Sequence, residues 1–185
     1  MLHFPFMPMT DVTVRFLACS REAFRPKRVE RDGVTFARVP APSPELNRYL
    51  YVAAGGAYFW IDRLPWTRAQ WMDYLTQPGF ETWLLSVDGI PAGFVELVPR
   101  AGGDVEVAIF GLLPAYVGQG LGAHMLSEAV DRAWAMGAQR TILDTCSLDH
   151  PRAYANYTAR GFREFRSEVR HKDVPGTPPP PWTGA

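Results

Sequence analysis

The chain has 185 residues, of which 47% are hydrophobic and 13% aromatic, and this composition predicts one packed domain rather than a disordered chain. Its 19 basic and 19 acidic residues balance, so charge gives no general reason for binding to nucleic acid or to an anionic membrane. The apolar start is broken by Pro5 and Pro8, and no stretch approaches the roughly 20 apolar residues of a membrane helix, so we expect neither a signal peptide nor a membrane span.

The cysteines and histidines favour a reducing setting without a metal. Cys19 and Cys146 form neither a CxxC pair nor a ligand cluster, so we expect no disulfide framework and a cytoplasmic location. Cys146 has no convincing base beside it, and we interpret it as a strand residue rather than a nucleophile. The 4 histidines are scattered and show no metal-ligand spacing, so no metal is expected.

The first third of the chain gives few strong signals. Residues 1–10 look like an arm, and residues 12–18 alternate in polarity as a strand does. Asp32 and Gly33 indicate a turn, which a proline-rich connection follows.

Residues 49–83 are unusually rich in aromatic side chains. In "WTRAQW", Thr67 has the position of a helix N-cap, and Gln70 three residues later completes a capping box. Trp66 and Trp71 flank this cap as a hydrophobic staple would. Most aromatic side chains of this region are expected in the core, while others could line an acceptor pocket.

Two apolar runs flank Asp88 and Gly89, which is a strong signal for a hairpin with a two-residue turn. A second turn at "GGD" precedes another apolar run over residues 105–113. Consecutive strands with tight turns predict an antiparallel meander.

The second half of the chain alternates helices and strands. Residues 123–137 predict a helix, residues 140–146 a buried strand, residues 151–161 a second helix and residues 162–172 a last strand. The end from residue 174 is too rich in proline for a helix or a central strand. The apolar stripe of the first helix consists of Met125, Leu126, Ala129, Val130, Ala133 and Trp134. This order predicts a mixed α/β sheet that is antiparallel early and has a crossover helix later.

Three glycines, Gly118, Gly120 and Gly122, separate the strand at 105–113 from the following helix. The first amides of a helix have no helical partner, and the helix dipole adds partial positive charge at that end. Glycines allow the main chain to approach a phosphate closely. The pattern therefore predicts a phosphate or pyrophosphate site, and the competing interpretation is a tight turn with close helix–sheet packing.

Two other phosphate-binding patterns fit less well. No Gly-Lys-Ser/Thr triplet follows the glycines, which argues against a Walker A loop. Gly118, Gly120 and Ala123 match the dinucleotide fingerprint, and Asp144 lies near the end of the next strand. However, "PAYV" separates the glycines from their strand, and too little chain remains for a doubly wound sheet.

The remaining ligand of this kind is coenzyme A, and here the sequence resembles a known family. "VGQGLGA", preceded by the strand "VEVAIFGLLP", resembles motif A of the GNAT superfamily of N-acetyltransferases, usually written Q/R-x-x-G-x-G/A. Gly120 and Gly122 match its small positions, whereas Val117 departs from the Q/R position. "DHPRAYANYTARGF" resembles motif B through Tyr157, Gly161 and Phe162. The resemblance covers roughly residues 83–165.

The resemblance implies an acetyl-CoA-dependent N-acetyltransferase with a mixed, mostly antiparallel sheet flanked by helices. It implies one acetyltransferase domain over residues 1–185, with an acceptor-side part at 1–82, an acetyl-CoA-binding core at 83–170 and a proline-rich tail at 173–185. The cosubstrate-binding residues it implies are Phe110, Gly111, Leu112, Val117, Gly118, Gln119, Gly120, Leu121, Gly122 and Ala123. The acceptor would be the primary amine of a small molecule or peptide, and the aromatic region at 49–83 favours a small, partly apolar amine.

Two residues are candidates for proton transfer in such a reaction. Glu106 lies in an apolar strand, and alternation places it with Ala108 and Phe110 opposite the face of the neighbouring valines. We expect Glu106 to be the base, as its spacing of fourteen residues from Gly120 matches several family members, with Glu96 as the fallback. The resemblance makes Tyr157 the acid that protonates the leaving thiolate.

Two other functions stay open from the sequence. A CoA-binding regulatory module without turnover would carry the same motifs, and a dinucleotide-binding oxidoreductase would use the same glycines. The proline-rich tail and exposed strand edges would suit a homodimer.

Overall fold

The computed structural model describes residues 9–178, which form seven strands and four α-helices. In chain order these are β1 (Met9–Cys19), β2 (Val34–Arg38), α1 (Pro44–Gly55), α2 (Arg68–Leu75), β3 (Glu81–Val87), β4 (Ile90–Pro99), β5 (Asp104–Leu112), α3 (Leu121–Ala135), β6 (Arg140–Cys146), α4 (Ala153–Ala159) and β7 (Arg163–Asp173). The predicted arm therefore contributes its last residues to β1, and residues 1–8 and 179–185 lie outside the described part.

The strands form one sheet in the order β2-β3-β4-β5-β6-β1-β7. Every neighbouring pair is antiparallel except β5 and β6, which run parallel because α3 crosses over between them. The predicted mixed sheet, antiparallel first and with a later crossover helix, is confirmed.

Local signals explain several of these elements. Asp88 and Gly89 both have positive φ, 51° and 79°, as a two-residue turn between β3 and β4 requires. Thr67 and Gln70 form the predicted capping box at the start of α2. The rings of Trp66 and Trp71 lie 5.1 Å apart across that cap, so the predicted staple is also present.

The main core lies between the sheet and α3. All six residues of the predicted apolar stripe of α3 are buried there, together with Val105 and Val107 of β5. A second core lies on the side of α1, where Leu50, Tyr51 and Trp71 pack against Phe94. The sheet therefore has one helical layer on each face.

The sequence analysis missed β2 and α1. The start of α1 carried a recognisable signal, because Ser43 accepts a hydrogen bond from the amide of Leu46 and Pro44 occupies the first turn. Two other elements differ in extent. The helix expected from Pro151 begins at Ala153 as α4, and Val174, expected in the tail, is buried against Val12 and Val14.

One irregularity in β5 overturns the expected face assignment. Glu96 of β4 is opposite Ile109, but the next residue, Leu97, is opposite Val107, so Ala108 is an extra residue in β5. Because of this bulge, Ile109 packs on the α1 side, whereas Phe110 packs with the α3 core. The expectation that Phe110 shares a face with Glu106 is therefore wrong.

Candidate active site

The parallel strands β5 and β6 separate part of the way along their length. They are paired from Asp104 and Arg140 to Glu106 and Ile142, and no pairing between them follows within the described residues. The diverging strands leave a cavity of about 630 Å³, which we call the β5–β6 cleft. Beyond this divergence, backbone groups of β5 that do not bond to β4 face the cleft.

Most of the cosubstrate-binding residues expected from the sequence lie along this cleft. Eight of them line it: Phe110, Gly111, Leu112, Val117, Gly118, Gly120, Gly122 and Ala123. The other two do not. Leu121 is buried in the core, and the side-chain amide of Gln119 donates to the carbonyl oxygen of Ala115 at 2.9 Å.

The glycine turn presents free backbone donors. Within residues 9–178, the amides of residues 118–123 have no hydrogen-bond acceptor. Gly118 and Gly120 have φ of 86° and 79°, a conformation that favours glycine and turns the chain into α3. Gly122 has ordinary φ, and a Cβ there would meet its nearest atoms only at 3.7 Å and 3.8 Å, so packing does not demand glycine at this position. The turn is therefore a cradle for an anion with open space beside it.

Tyr157 of α4 reaches the cleft from the side of α3. Its ring packs edge-on against Phe110 at 5.9 Å, and the residue is 6% exposed. Its hydroxyl has no hydrogen-bond partner among the described residues. Burial first, and then the nearby charges of Asp149 and Asp144, raise the pKa of Tyr157 far above its usual value. The hydroxyl therefore stays protonated and is free to donate.

Glu106 does not line the cleft. Its carboxylate accepts from the Arg100 guanidinium at 2.6 Å and 2.5 Å, and Glu106 is not among the residues that border the cavity. The fallback, Glu96, is 0% exposed and lies beneath the α1 layer, where Arg63, Tyr74 and Asn47 donate to it at 2.7, 3.0 and 2.8 Å. The structure therefore brings neither expected base to the cleft wall.

A carboxylate that the sequence analysis linked only to dinucleotide binding does line the cleft. Asp144 of β6 has no hydrogen-bond or ion-pair partner among the described residues. Water reaches the side chain from the open cleft, yet the surrounding walls remove much of its hydration. This partial burial, followed by the negative charge of Glu106, raises the pKa of Asp144. Its position near the end of β6 was visible in the sequence, but the divergence of β5 and β6 was not.

The opposite wall of the cleft comes from the segment after α1. Tyr58, Phe59 and Trp60 line this wall. Asp62 forms an ion pair with Lys172 of β7, with 2.9 Å between Oδ2 and Nζ. Gly111 permits the close approach of this segment, because a Cβ there would lie 3.0 Å from the Trp60 ring. Some aromatic residues of the 49–83 region therefore face the cleft, whereas Trp71 is buried in the core.

Neither a cysteine nucleophile nor a metal centre is indicated among the described residues of the cleft. Cys146 lines the cleft as a free cysteine, and burial raises the pKa of its thiol, which disfavours the thiolate. No group of three or more metal-ligating side chains occurs within residues 9–178. Among those residues, no helix has the length and apolar character needed to cross a membrane.

The fold and cleft define a class of protein: a mixed sheet whose two parallel strands diverge beside a glycine turn that opens a helix. Residues 45–162 match the acetyltransferase (GNAT) family. The chain belongs to this family, whose members are acyltransferases.

Solved structures agree with this assignment. A GCN5-related N-acetyltransferase from Kribbella flavida is 27% identical, with a TM-score of 0.63 over 91% of this chain and 60% of that one. One from Sphaerobacter thermophilus is 18% identical, with a TM-score of 0.69 over 95% and 56%. The ribosomal-protein-S18-alanine N-acetyltransferase from Escherichia coli is 18% identical, with a TM-score of 0.57 over 72% and 79%.

The chain thus spans only 60% and 56% of the length of the first two of these structures. No curated protein matches the chain.

Proposed function

We propose that the protein is an N-acetyltransferase that moves the acetyl group of acetyl-CoA directly to a primary amine of a small molecule or peptide. One observation carries the proposal: the glycine turn, whose amides at 118–123 have no acceptor among the described residues, borders the same cleft as Tyr157, whose hydroxyl likewise has no partner there. The first can hold a diphosphate, and the second can donate a proton at the reacting end.

Acetyl-CoA supplies an activated thioester, and the chain's own residues bind and orient it. The amides of residues 118–123 would hold the diphosphate, since a helix N-terminus with glycines suits an anion. The open space beside Gly122 fits a group that approaches the main chain closely. The free edge of β5 at Phe110, Gly111 and Leu112 would hold the extended pantetheine arm as an added strand and donate to the thioester oxygen.

Proton transfer falls to two groups in the cleft. Tyr157 would protonate the departing thiolate from its hydroxyl, which its raised pKa keeps protonated. Asp144 replaces Glu106 as the base in this proposal, because Asp144 lines the cleft and has no partner within residues 9–178, whereas Glu106 is held by Arg100. A raised pKa makes the Asp144 carboxylate a better proton acceptor for an ammonium group, directly or through a water.

The acceptor side comes from the first 82 residues together with β7. Tyr58, Phe59 and Trp60 give this wall an apolar, aromatic surface, and Asp144 provides a negative charge for an ammonium group. We therefore propose a small, partly apolar amine as the acceptor, with a peptide amine as the alternative. One domain would then contain the acceptor wall and the cosubstrate core. Both cysteines are free, which suits the reducing cytoplasm.

The test is an acceptor screen that measures the thiol released from acetyl-CoA. We expect turnover with primary amines that carry an apolar or aromatic body. Tyr157→Phe should lower kcat by roughly 10²-fold, a typical contribution of a general acid, with little change in the KM for acetyl-CoA.

Tyr154→Phe is the matched control, because Tyr154 lies on the same helix but its hydroxyl donates to the half-buried Glu164 at 3.2 Å. Binding of acetyl-CoA without thiol release for any amine would instead identify a regulatory module. Equal kcat for the two tyrosine variants would remove Tyr157 from the proposed mechanism.

A further inference from the structure

The connection between β1 and β2, residues 20–33, lies along the first half of α3. The amide of Lys27 donates to Ser127 Oγ at 2.8 Å, and the amide of Val29 donates to His124 Nδ1 at 3.4 Å. Arg28 forms ion pairs with Glu128, at 3.0 Å, and with Asp131. These bonds fix the connection against a helix whose N-terminus is the glycine turn.

Arg31 continues this connection to the glycine turn itself. Its Nη1 donates to Gln119 Oε1 at 3.0 Å, and Gln119 is in turn anchored on the carbonyl oxygen of Ala115. Val29 lies close by, since its Cγ2 is 3.6 Å from the point where a Cβ on Gly120 would be. The guanidinium of Arg31 is therefore held on the side chain of Gln119, which lies between Gly118 and Gly120 of the turn.

Arg31 forms no ion pair with any other described residue, although Glu30 and Asp32 flank it in the sequence. No carboxylate within the described residues lies in ion-pair range of it, in contrast to Arg28, which has two acidic partners. Its observed partner, the Gln119 side-chain amide, is neutral. At residue 117, where the resembling motif has a glutamine or arginine, this chain has Val117, which is 38% exposed and carries no charge.

We propose that Arg31 binds a phosphate group of coenzyme A, so that the β1–β2 connection forms part of the cosubstrate site. Guanidinium groups bind phosphate oxygens through paired N–H donors, and the adjacent helix N-terminus adds to the positive potential. The cation that Val117 lacks is thus supplied from a different element of the fold. This inference rests on the proposed function, which brings coenzyme A to the glycine turn.

The experiment measures the Kd of coenzyme A by calorimetry for the full chain and for variants. We expect Arg31→Ala to weaken binding roughly tenfold, the scale of one charge-assisted hydrogen bond, and Arg31→Lys to restore part of the affinity. The control is Arg68→Ala, which removes an equal charge from an exposed pair with Glu45 on α2 and should change Kd less than twofold. The melting temperatures of the ligand-free variants show whether each one folds.

A second arm uses 3′-dephospho-coenzyme A to identify the phosphate. If Arg31→Ala weakens the binding of both ligands equally, Arg31 binds the diphosphate. If it weakens the binding of coenzyme A alone, Arg31 binds the 3′-phosphate. Both results support the inference. Equal affinities of the Arg31→Ala and Arg68→Ala variants for coenzyme A would overturn it. A wild-type chain that does not bind coenzyme A would instead overturn the proposed function, so the two failures are distinguishable.

Discussion

Asp144 and Tyr157 border the same cleft but need opposite protonation states for the proposed reaction. Tyr157 must keep its proton until the thiolate leaves, and Asp144 must have lost its own before the amine attacks. Burial raises the pKa of both groups, which favours the first requirement and opposes the second at low pH. The pH dependence of the rate should therefore report Asp144.

We expect kcat/KM to fall as the pH is lowered through the raised pKa of Asp144, because the base is then protonated. This fall is the acidic limb of the pH profile. Glu106→Gln should move it to lower pH, since the negative charge of Glu106 contributes to the raised pKa of Asp144. Asp144→Asn should remove the limb and reduce the rate at least tenfold. The measurement is the pH profile of kcat/KM for the wild type and both variants.

Glu164→Gln is the control, because Glu164 of β7 is paired with Arg15 of β1, and the pH profile of this variant should match that of the wild type. An unchanged limb in Asp144→Asn would show that another group titrates.

The raised pKa of Asp144 also predicts that the stability of the fold depends on pH. The native state binds this proton more tightly than the unfolded state does, so the free energy of unfolding falls as pH rises from about 3.9 towards the raised native pKa. Asp144→Asn should therefore have a higher melting temperature than the wild type at pH 8. The difference should shrink as the pH is lowered through that interval, and a constant difference would contradict the assignment.

Glu96 and Arg63 form a buried pair beneath the α1 layer. Arg63 lies over the rings of four aromatic residues, Tyr51, Trp66, Trp71 and Tyr74, and its guanidinium donates to Glu96. Glu96→Ala would leave this cation buried without its partner, which typically costs about 3–5 kcal/mol of unfolding free energy. Glu45→Ala breaks an exposed pair with Arg68, and solvent screening should make its effect on the unfolding free energy much smaller. Denaturant unfolding compares the two variants, and equal losses would contradict this account.

At the scale of elements, the turn between α4 and β7 is held against the β1–β2 connection. The amide of Arg25 donates to the carbonyl oxygen of Arg160 at 3.0 Å. Gly161 has φ of 96°, and a Cβ there would overlap the carbonyl oxygen of Ala23. This contact joins the helix that carries Tyr157 to the segment that carries Arg31.

Gly161→Ala should therefore destabilise the fold by about 2 kcal/mol or more, because positive φ and overlap add. Gly102→Ala provides the control, since Gly102 has φ of 81° but no atom within 4 Å of a Cβ. Gly102→Ala should lose only the part of the unfolding free energy that comes from the positive φ, about 1–2 kcal/mol. Urea titration of both variants measures the difference, and its absence would show that the turn relaxes away from Ala23.

At the scale of the whole molecule, the cleft depends on elements that are distant in the sequence. β5, α3, β6 and α4 form one wall, and the segment after α1 together with β7 forms the other. A ligand that fills the cleft therefore contacts most layers of the fold and should stabilise the whole of it.

We expect acetyl-CoA to raise the melting temperature, with about 2.7 kcal/mol of added stability at a hundredfold excess over Kd. NAD and NADP should have no effect if the glycine turn serves coenzyme A. Thermal-shift assays with the three ligands test this directly. Stabilisation by NAD alone would favour the oxidoreductase considered from the sequence.

Sequence patterns predicted the local structure correctly wherever the signal lay within a single element. The stripe of α3, the capping box of α2 and the Asp88-Gly89 hairpin depend on spacing within a few turns of chain, and the structure has all three. The mixed sheet and the family followed from the order of these elements and from two motifs. The eight predicted residues that line the cleft could also be predicted from the sequence, because they lie in two short adjacent segments.

Only the tertiary structure decided which carboxylates line the cleft and which of them has no partner among the described residues. Strict alternation placed Glu106 and Phe110 on one face, but the bulge at Ala108 arises from pairing with β4 and reverses the faces beyond it. The Arg100 ion pair and the divergence of β6, which exposes Asp144, likewise depend on contacts between separate segments. The sequence determines local conformation through spacing, whereas register, burial and charge pairing are properties of the packed chain.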